Sequence, residues 1–191
     1  MIPKPFMIGQ TQIEWELDRL CDLLTGLQIM PDVIVEIGVN DGYDLGRIIS
    51  RLHAVSHRPS RVFAIDINLD TPRLQGLLAI QRVSHCDVIV GDSRDHRIVG
   101  QFQECLGQDE IDLLLIDSSK EPGQLERDIE LYAGKVRSGG IVAIHDILNK
   151  GYAKTVMEPW ERIKATSDYV EIRGREKVGD CYLGWGLYWI R

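Results

Sequence analysis

The chain has no closely spaced pair of cysteines. Cys21, Cys86, Cys105 and Cys181 lie far apart, with no C-x-x-C spacing. That argues against a thiolate zinc cluster and against a dithiol redox motif. Reduced, mostly buried thiols are the expectation. Long apolar runs are missing too, and none approaches the ~18 residues of a membrane helix. The opening stretch MIPKPFMIGQTQIEWE holds no signal-like apolar segment, because Lys4, Gln10, Gln12 and Glu14 interrupt it. A cytoplasmic protein with no membrane partner is expected. Positive charge is in deficit: 22 Lys and Arg face 29 Asp and Glu, for a formal net charge of −7. Nucleic acid is therefore disfavoured as a partner, since its phosphates need clustered positive charge. Internal repeats, low-complexity tracts and linkers are absent as well.

What remains is an ordinary globular composition. The 191 residues are 44% hydrophobic and 27% charged. A chain of this size forms one domain that buries roughly 70% of its unfolded surface. One domain over 1–191 is expected, with a leading helical segment at 1–30 and the core at 31–191. Short apolar runs alternate with amphipathic stretches. Asp32–Ile37, Arg61–Ile67, Cys86–Val90, Ile111–Ile116 and Ile141–His145 read as buried strands. Helical spacing marks 11–27, 45–55, 96–106 and 123–136, with a capping box at Thr11 and Glu14. Thr71 and Pro72 would start a helix running through Gln81. Val156, Trp160 and Ile163 suggest one more helix, bent or shortened by Pro159. Ser138-Gly139-Gly140 reads as a turn into the fifth strand. Tyr169–Arg173 and Gly186–Arg191 read as late strands joined by a polar loop. Strict alternation predicts an α/β fold, a doubly wound, mostly parallel sheet of seven strands. The last two strands, with no helix between them, should form an antiparallel pair.

In such a sheet ligands bind beyond the carboxyl ends of the strands. Every parallel strand ends in an acid there. Strand one ends in Glu36, followed by Gly38-Val39-Asn40-Asp41-Gly42. Strand two gives Asp66-Ile67, strand three Gly91-Asp92-Ser93, strand four Asp117-Ser118-Ser119-Lys120, and strand five His145-Asp146. A pyrophosphate dinucleotide wants G-x-G-x-x-G and no acid before it. Here the spacing is G-x-x-x-G, and Glu36 would repel an anion. A ligand with a cationic amino group and a ribose suits this edge better.

The run E-I-G-V-N-D-G after a buried strand resembles the first motif of class I S-adenosylmethionine-dependent methyltransferases. Asp66, G-D-S, I-D-L-L-L-I-D and R-S-G-G-I-V-A-I-H-D continue the resemblance along nearly the whole chain. It implies the Rossmann-like methyltransferase fold, with 31–191 as catalytic core and S-adenosyl-L-methionine as cofactor. Glu36 and Gly38 would hold the methionine end, with Asn40 and Gly42 in the same turn. Asp66 would take the ribose hydroxyls, Ile67 the adenine face, and Asp92 the adenine amine beside Ser93. Asp117 would close the cofactor site.

The run after strand four lacks the N-P-P-Y of base-modifying members, and no Pro-Cys occurs. Small bacterial O-methyltransferases are the nearer likeness, with a small-molecule acceptor. D-x-x-K also resembles the catechol type, in which an Asp binds a metal and the Lys acts as base. That implies Asp117 and Asp146 as ligands of Mg2+, Lys120 as base, and Asp117 as its helper. Ile147 stands where that type has a ligand Asn. His145 is the alternative base, or packs at the strand end. Two other functions stay open: a non-catalytic binder of the cofactor or its demethylated product, and a nicotinamide-dependent oxidoreductase. Fold analogy suggests a homodimer.

Overall fold

A computed structural model describes residues 14–69, 85–178 and 181–191, together with Pro72, Leu74 and Val83. The chain opens with helix α1 (Glu14–Gly26), strand β1 (Val33–Ile37), helix α2 (Tyr43–Ala54) and strand β2 (Arg61–Asp66). Strand β3 (Cys86–Val90), helix α3 (His96–Leu106), strand β4 (Ile111–Ile116) and helix α4 (Gln124–Tyr132) follow. A 3-10 turn at 133–135 leads into β5 (Val136–His145), and 3-10 and π turns at 150–157 lead into helix α5 (Glu158–Lys164). Strands β6 (Tyr169–Val178) and β7 (Cys181–Trp189) complete the order. Thr11 of the expected capping box and most of the helix expected through Gln81 lie outside the described residues.

The seven strands form one sheet in the order β3-β2-β1-β4-β5-β7-β6. Strands β1 to β5 pair in parallel, while β7 runs antiparallel to both β5 and β6. This is the architecture that the alternation predicts. Strand β1 is buried at every position and β4 at five of six, because helices cover both faces of a parallel sheet. On one face Val35, Ile37, Phe63, Leu114 and Val142 pack with Phe102, Tyr132 and Trp160 from α3, α4 and α5. On the other, Ile34, Val62, Leu115, Ala143 and Trp185 pack with Leu17, Leu20 and Leu24 of α1 and Leu45, Ile48 and Leu52 of α2. Helix α1 is also pinned to α2 by charge: Arg47 forks onto Asp18 at 2.9 Å and Arg51 reaches Asp22 at 2.8 Å.

Strand lengths depart from expectation. Strand β5 begins at Val136, because Ser138-Gly139-Gly140 runs within the strand. The register with β4 slips between Ile111 and Leu113. Gly139 adopts φ 78° and donates its N–H to Ile190, so the strand stays paired through the irregularity. Strands β6 and β7 extend through most of the polar stretch expected as a loop. Pro159 sits in the first turn of α5, where its missing N–H is harmless, so the helix starts there rather than bending. Among the described residues, no helix is long and apolar enough to cross a membrane.

Phe102 is fully buried between the rings of Phe63 and Tyr132, at centroid distances of 5.2 and 5.1 Å. Phe102→Ala is expected to destabilise the fold by about 3–5 kcal/mol, read as a lower urea midpoint. A loss under about 1 kcal/mol would contradict this packing.

Candidate active site

The strand order places β1 between β2 and β4, so the sheet reverses its direction of growth at β1 and β4. A crevice forms beyond the carboxyl ends of strands at such a point. The turn after β1 is fitted tightly into it. Gly38 adopts φ 87°, and a Cβ there would overlap the backbone carbonyl of Asp117 at the end of β4. Only glycine tolerates both constraints. Gly42, at φ 79°, opens α2 against the side chain of Leu74. Asn40, at φ 50°, donates its backbone N–H to Asp66 Oδ2 at 2.7 Å. The N–H of Asn68 binds Asp66 Oδ1 at 2.8 Å. Two loops therefore fix the Asp66 carboxylate, and each oxygen keeps a lone pair for a further donor. Beside it Ile67 is 62% exposed, an uncovered apolar surface at the strand end.

Glu36 is the anomaly of this edge. It is fully buried, and among the described residues neither carboxylate oxygen has a hydrogen-bond partner. Burial first, then the charges of Asp44, Asp117, Asp66 and Asp41, push its pKa well above the usual carboxylate range. A buried acid with no donor is unfavourable unless something else supplies one.

Asp92 and Ser93 reach the same edge but turn to internal partners. Both oxygens of Asp92 are held by Arg94, at 3.0 Å from Nε and 2.9 Å from Nη2. Arg94 holds the Asp92 pKa below the usual carboxylate range. The Ser93 hydroxyl donates to Asp128 at 2.7 Å. Asp128, fully buried on α4, also accepts from Ser118 at 2.5 Å and from Gln124 at 2.9 Å. Tyr132 donates to the Ser93 carbonyl at 2.9 Å. This network ties the loops after β3 and β4 together from below.

The ends of β4 and β5 carry a charged cluster. Lys120 Nζ donates to Asp117 Oδ1 at 2.6 Å and lies 3.4 Å from Asp146 Oδ2. His145 Nδ1 lies 3.2 Å from the same Asp117 oxygen and 3.7 Å from the same Asp146 oxygen. Burial opposes charge on His145, but Asp117, Glu16 and Asp146 outweigh it and raise its pKa to about 10. Burial likewise opposes charge on Lys120, and Asp117 and Asp146 raise its pKa nonetheless. The Asp117 carboxyl is held well below its ordinary range, because Lys120 and His145 overcome its burial. Asp146 adopts φ 67°, a strained conformation of the kind stored at functional sites.

The residues expected from the sequence thus fall on one edge. Asp117, Lys120, His145 and Asp146 meet directly, while Glu36, Gly38, Asn40, Gly42, Asp66 and Ile67 form the neighbouring turn pair. Asp92 and Ser93 are present but already engaged. Sequence reasoning missed Arg94, Asp128 and above all Glu16. Helix α1 buries Glu16 completely, with Oε2 3.6 Å from His145 Nε2. A Cβ at Gly174 of β6 would overlap its carboxylate, so a side chain is missing where Glu16 inserts. The available signal was its place in the apolar stripe of α1, one turn before Leu20.

The sheet order and the acid-lined edge define a Rossmann-like protein of the class I methyltransferase type. The chain belongs to a family described as methyltransferase domain, which matches residues 35–147, more than half of its length. No curated protein sequence matches it. Solved structures share its fold at low identity. An O-methyltransferase from Bacillus cereus in complex with SAH aligns with a TM-score of 0.67 at 16% identity, covering 96% of this chain and 84% of that one. Cofactor-bound Rv0187 from MTB gives 0.66 at 16% identity, over 97% and 84%. An rRNA methylase from Streptococcus thermophilus gives 0.65 at 11% identity, over 95% and 98%.

The Glu36 environment sets a pH dependence. The folded protein keeps this proton well above the unfolded value of 4.5. Its contribution to stability is therefore intact below that value and is lost as the pH rises toward the folded pKa. Glu36→Gln removes the loss. The melting temperature of the variant is expected to gain progressively on wild type as the pH rises above about 5. A pH-independent difference would contradict the assigned environment.

Proposed function

We propose that the protein is an S-adenosylmethionine-dependent methyltransferase that methylates an oxygen of a small hydroxylated metabolite. The observation that carries the reading is Glu36, a buried carboxylate without a donor beside a turn that no side chain other than hydrogen fits. The residues present suit the cofactor. Glu36 and the Gly38 turn would receive its amino-acid end, Asp66 its ribose hydroxyls, and Ile67 one face of its base. When bound, the cofactor supplies a methyl group already activated by the positive sulfur.

The chain then has to place an acceptor oxygen and manage its proton. Lys120 and His145 are the groups at hand. Asp117 and Asp146 hold both as cations, so neither takes the proton: the acceptor hydroxyl gives it up to solvent on binding, and the two cations donate to the resulting oxyanion before the methyl group reaches it. Lys120 is the better placed, with 14% of its side chain exposed against 3% for His145. The Asp92 carboxylate, gripped by Arg94, is a weaker candidate for the adenine amine than the resemblance implies. A second reading, a cofactor-binding protein without catalysis, has one observation in its favour: Asp117, Lys120, His145 and Asp146 are already satisfied by one another. Methyl transfer to any member of an acceptor panel would end it.

Isothermal titration with S-adenosylhomocysteine tests the main reading. Wild type is expected to bind at one site, and Glu36→Ala and Asp66→Ala are each expected to weaken binding by roughly tenfold or more. No binding by wild type, or unchanged affinity in both variants, would overturn it.

A further inference from the structure

Asp117, His145 and Asp146 have the spacing of a cation site, with one ligand atom from each lying within 4.8 Å of the others. The catechol-type resemblance implies a divalent ion there. The donor set does not suit one. Asp117 Oδ1 and Asp146 Oδ2 are the two oxygens that would face an ion. Both already face Lys120 Nζ, at 2.6 and 3.4 Å, and both face His145 Nδ1, at 3.2 and 3.7 Å. A small divalent ion binds carboxylate oxygen at about 2.0–2.2 Å, inside the space the ammonium fills.

Among the described residues no third carboxylate joins this group. Asp146 Oδ1 faces the Asn149 amide nitrogen at 3.4 Å, and the Asn149 oxygen accepts from the Gly151 N–H at 3.0 Å. In this arrangement Asn149 turns its amide nitrogen, and not its oxygen, toward Asp146. Ile147, at the position of the expected amide ligand, is buried and apolar. Mg2+ prefers near-octahedral oxygen coordination, and this site would provide two carboxylates that are already bridged, plus an imidazole. Lys120 is no passing surface group: it lies three residues after Asp117, and only 14% of its side chain is exposed.

We propose that Lys120 is the resident cation of this site: its ammonium takes the place of a divalent ion, and removing it turns Asp117, His145 and Asp146 into a divalent-cation site. In the methyl transfer proposed above, on which only this consequence rests, the same ammonium meets the acceptor oxygen and no metal is required. The cation exchange itself is measurable without a methyl donor.

The probe is Mn2+ alone, titrated into the full chain and followed by loss of the free-ion paramagnetic resonance signal. Two oxygens and one imidazole suit Mn2+ better than Mg2+. Wild type is expected to show no stoichiometric uptake at millimolar Mn2+. Lys120→Met, which keeps the apolar stem and removes the charge, is expected to take up one ion, roughly tenfold or more tighter than wild type. Adding Asp146→Asn should abolish that uptake. Lys120→Gln is carried in parallel, and for a variant that folds poorly the melting temperature is the readout. Mn2+ should raise it, while wild type stays unmoved. One tight Mn2+ ion in wild type overturns the proposal, as does a lysine variant whose uptake and melting temperature both ignore Mn2+. Failure of S-adenosylhomocysteine to bind would instead overturn the methyltransferase reading and leave the metal result standing.

Discussion

Negative charge collected at one edge of one sheet is the constraint to which the rest of this site answers. Each parallel strand delivers a carboxylate there, and five like charges cannot share a crevice uncompensated. The fold compensates each one differently. Asp66 receives two backbone N–H groups from neighbouring loops. Asp92 is forked by Arg94. Asp117 and Asp146 share Lys120 and His145. Glu36 alone is left with burial and no donor. On the reading proposed above, the one uncompensated acid is where a cationic ligand group is wanted, and the compensated pair is where an added cation is not.

Helix α1 belongs to this electrostatic arrangement, although it precedes the residues matched by the methyltransferase family. Its apolar stripe covers the sheet, and Asp18 and Asp22 latch it to Arg47 and Arg51 of α2. That latch carries Glu16 to His145, into the gap left by Gly174. His145 thus has a carboxylate near each ring nitrogen and the Trp185 ring 4.7 Å away. Packing of the leading helix and charge at the strand ends are in this way one mechanical unit.

The strand ends were legible in the sequence because a parallel strand, buried on both faces, is a continuous apolar run, and the residue that breaks the run lies at the edge. Glu36, Asp66, Asp117 and His145-Asp146 stand out on that ground alone. The D-x-x-K spacing suggested that Asp117 and Lys120 work together, but only the β4–β5 pairing brings Asp146 to the same ammonium. Glu16 and Asp128 read as ordinary charged helix residues, and tertiary contacts many residues away buried them. Arg94 is two residues from Asp92 in the loop after β3, where neither helical nor strand periodicity fixes which side chains meet. The antiparallel pairing of β6 and β7 was legible, but their far ends were not, because the polar, glycine-containing run between them reads as a loop in the sequence.

The solved structures with this fold include O-directed and RNA-directed methylases, so the sheet does not choose the acceptor. A crystal grown with S-adenosylhomocysteine and Mn2+, with an anomalous map collected at the manganese edge, tests the central claim most directly. The account predicts a nucleoside between Glu36 and Asp66, Lys120 still bridging Asp117 and Asp146, and no manganese peak between those two acids. A manganese peak there with Lys120 displaced, or a nucleoside bound elsewhere, would contradict it.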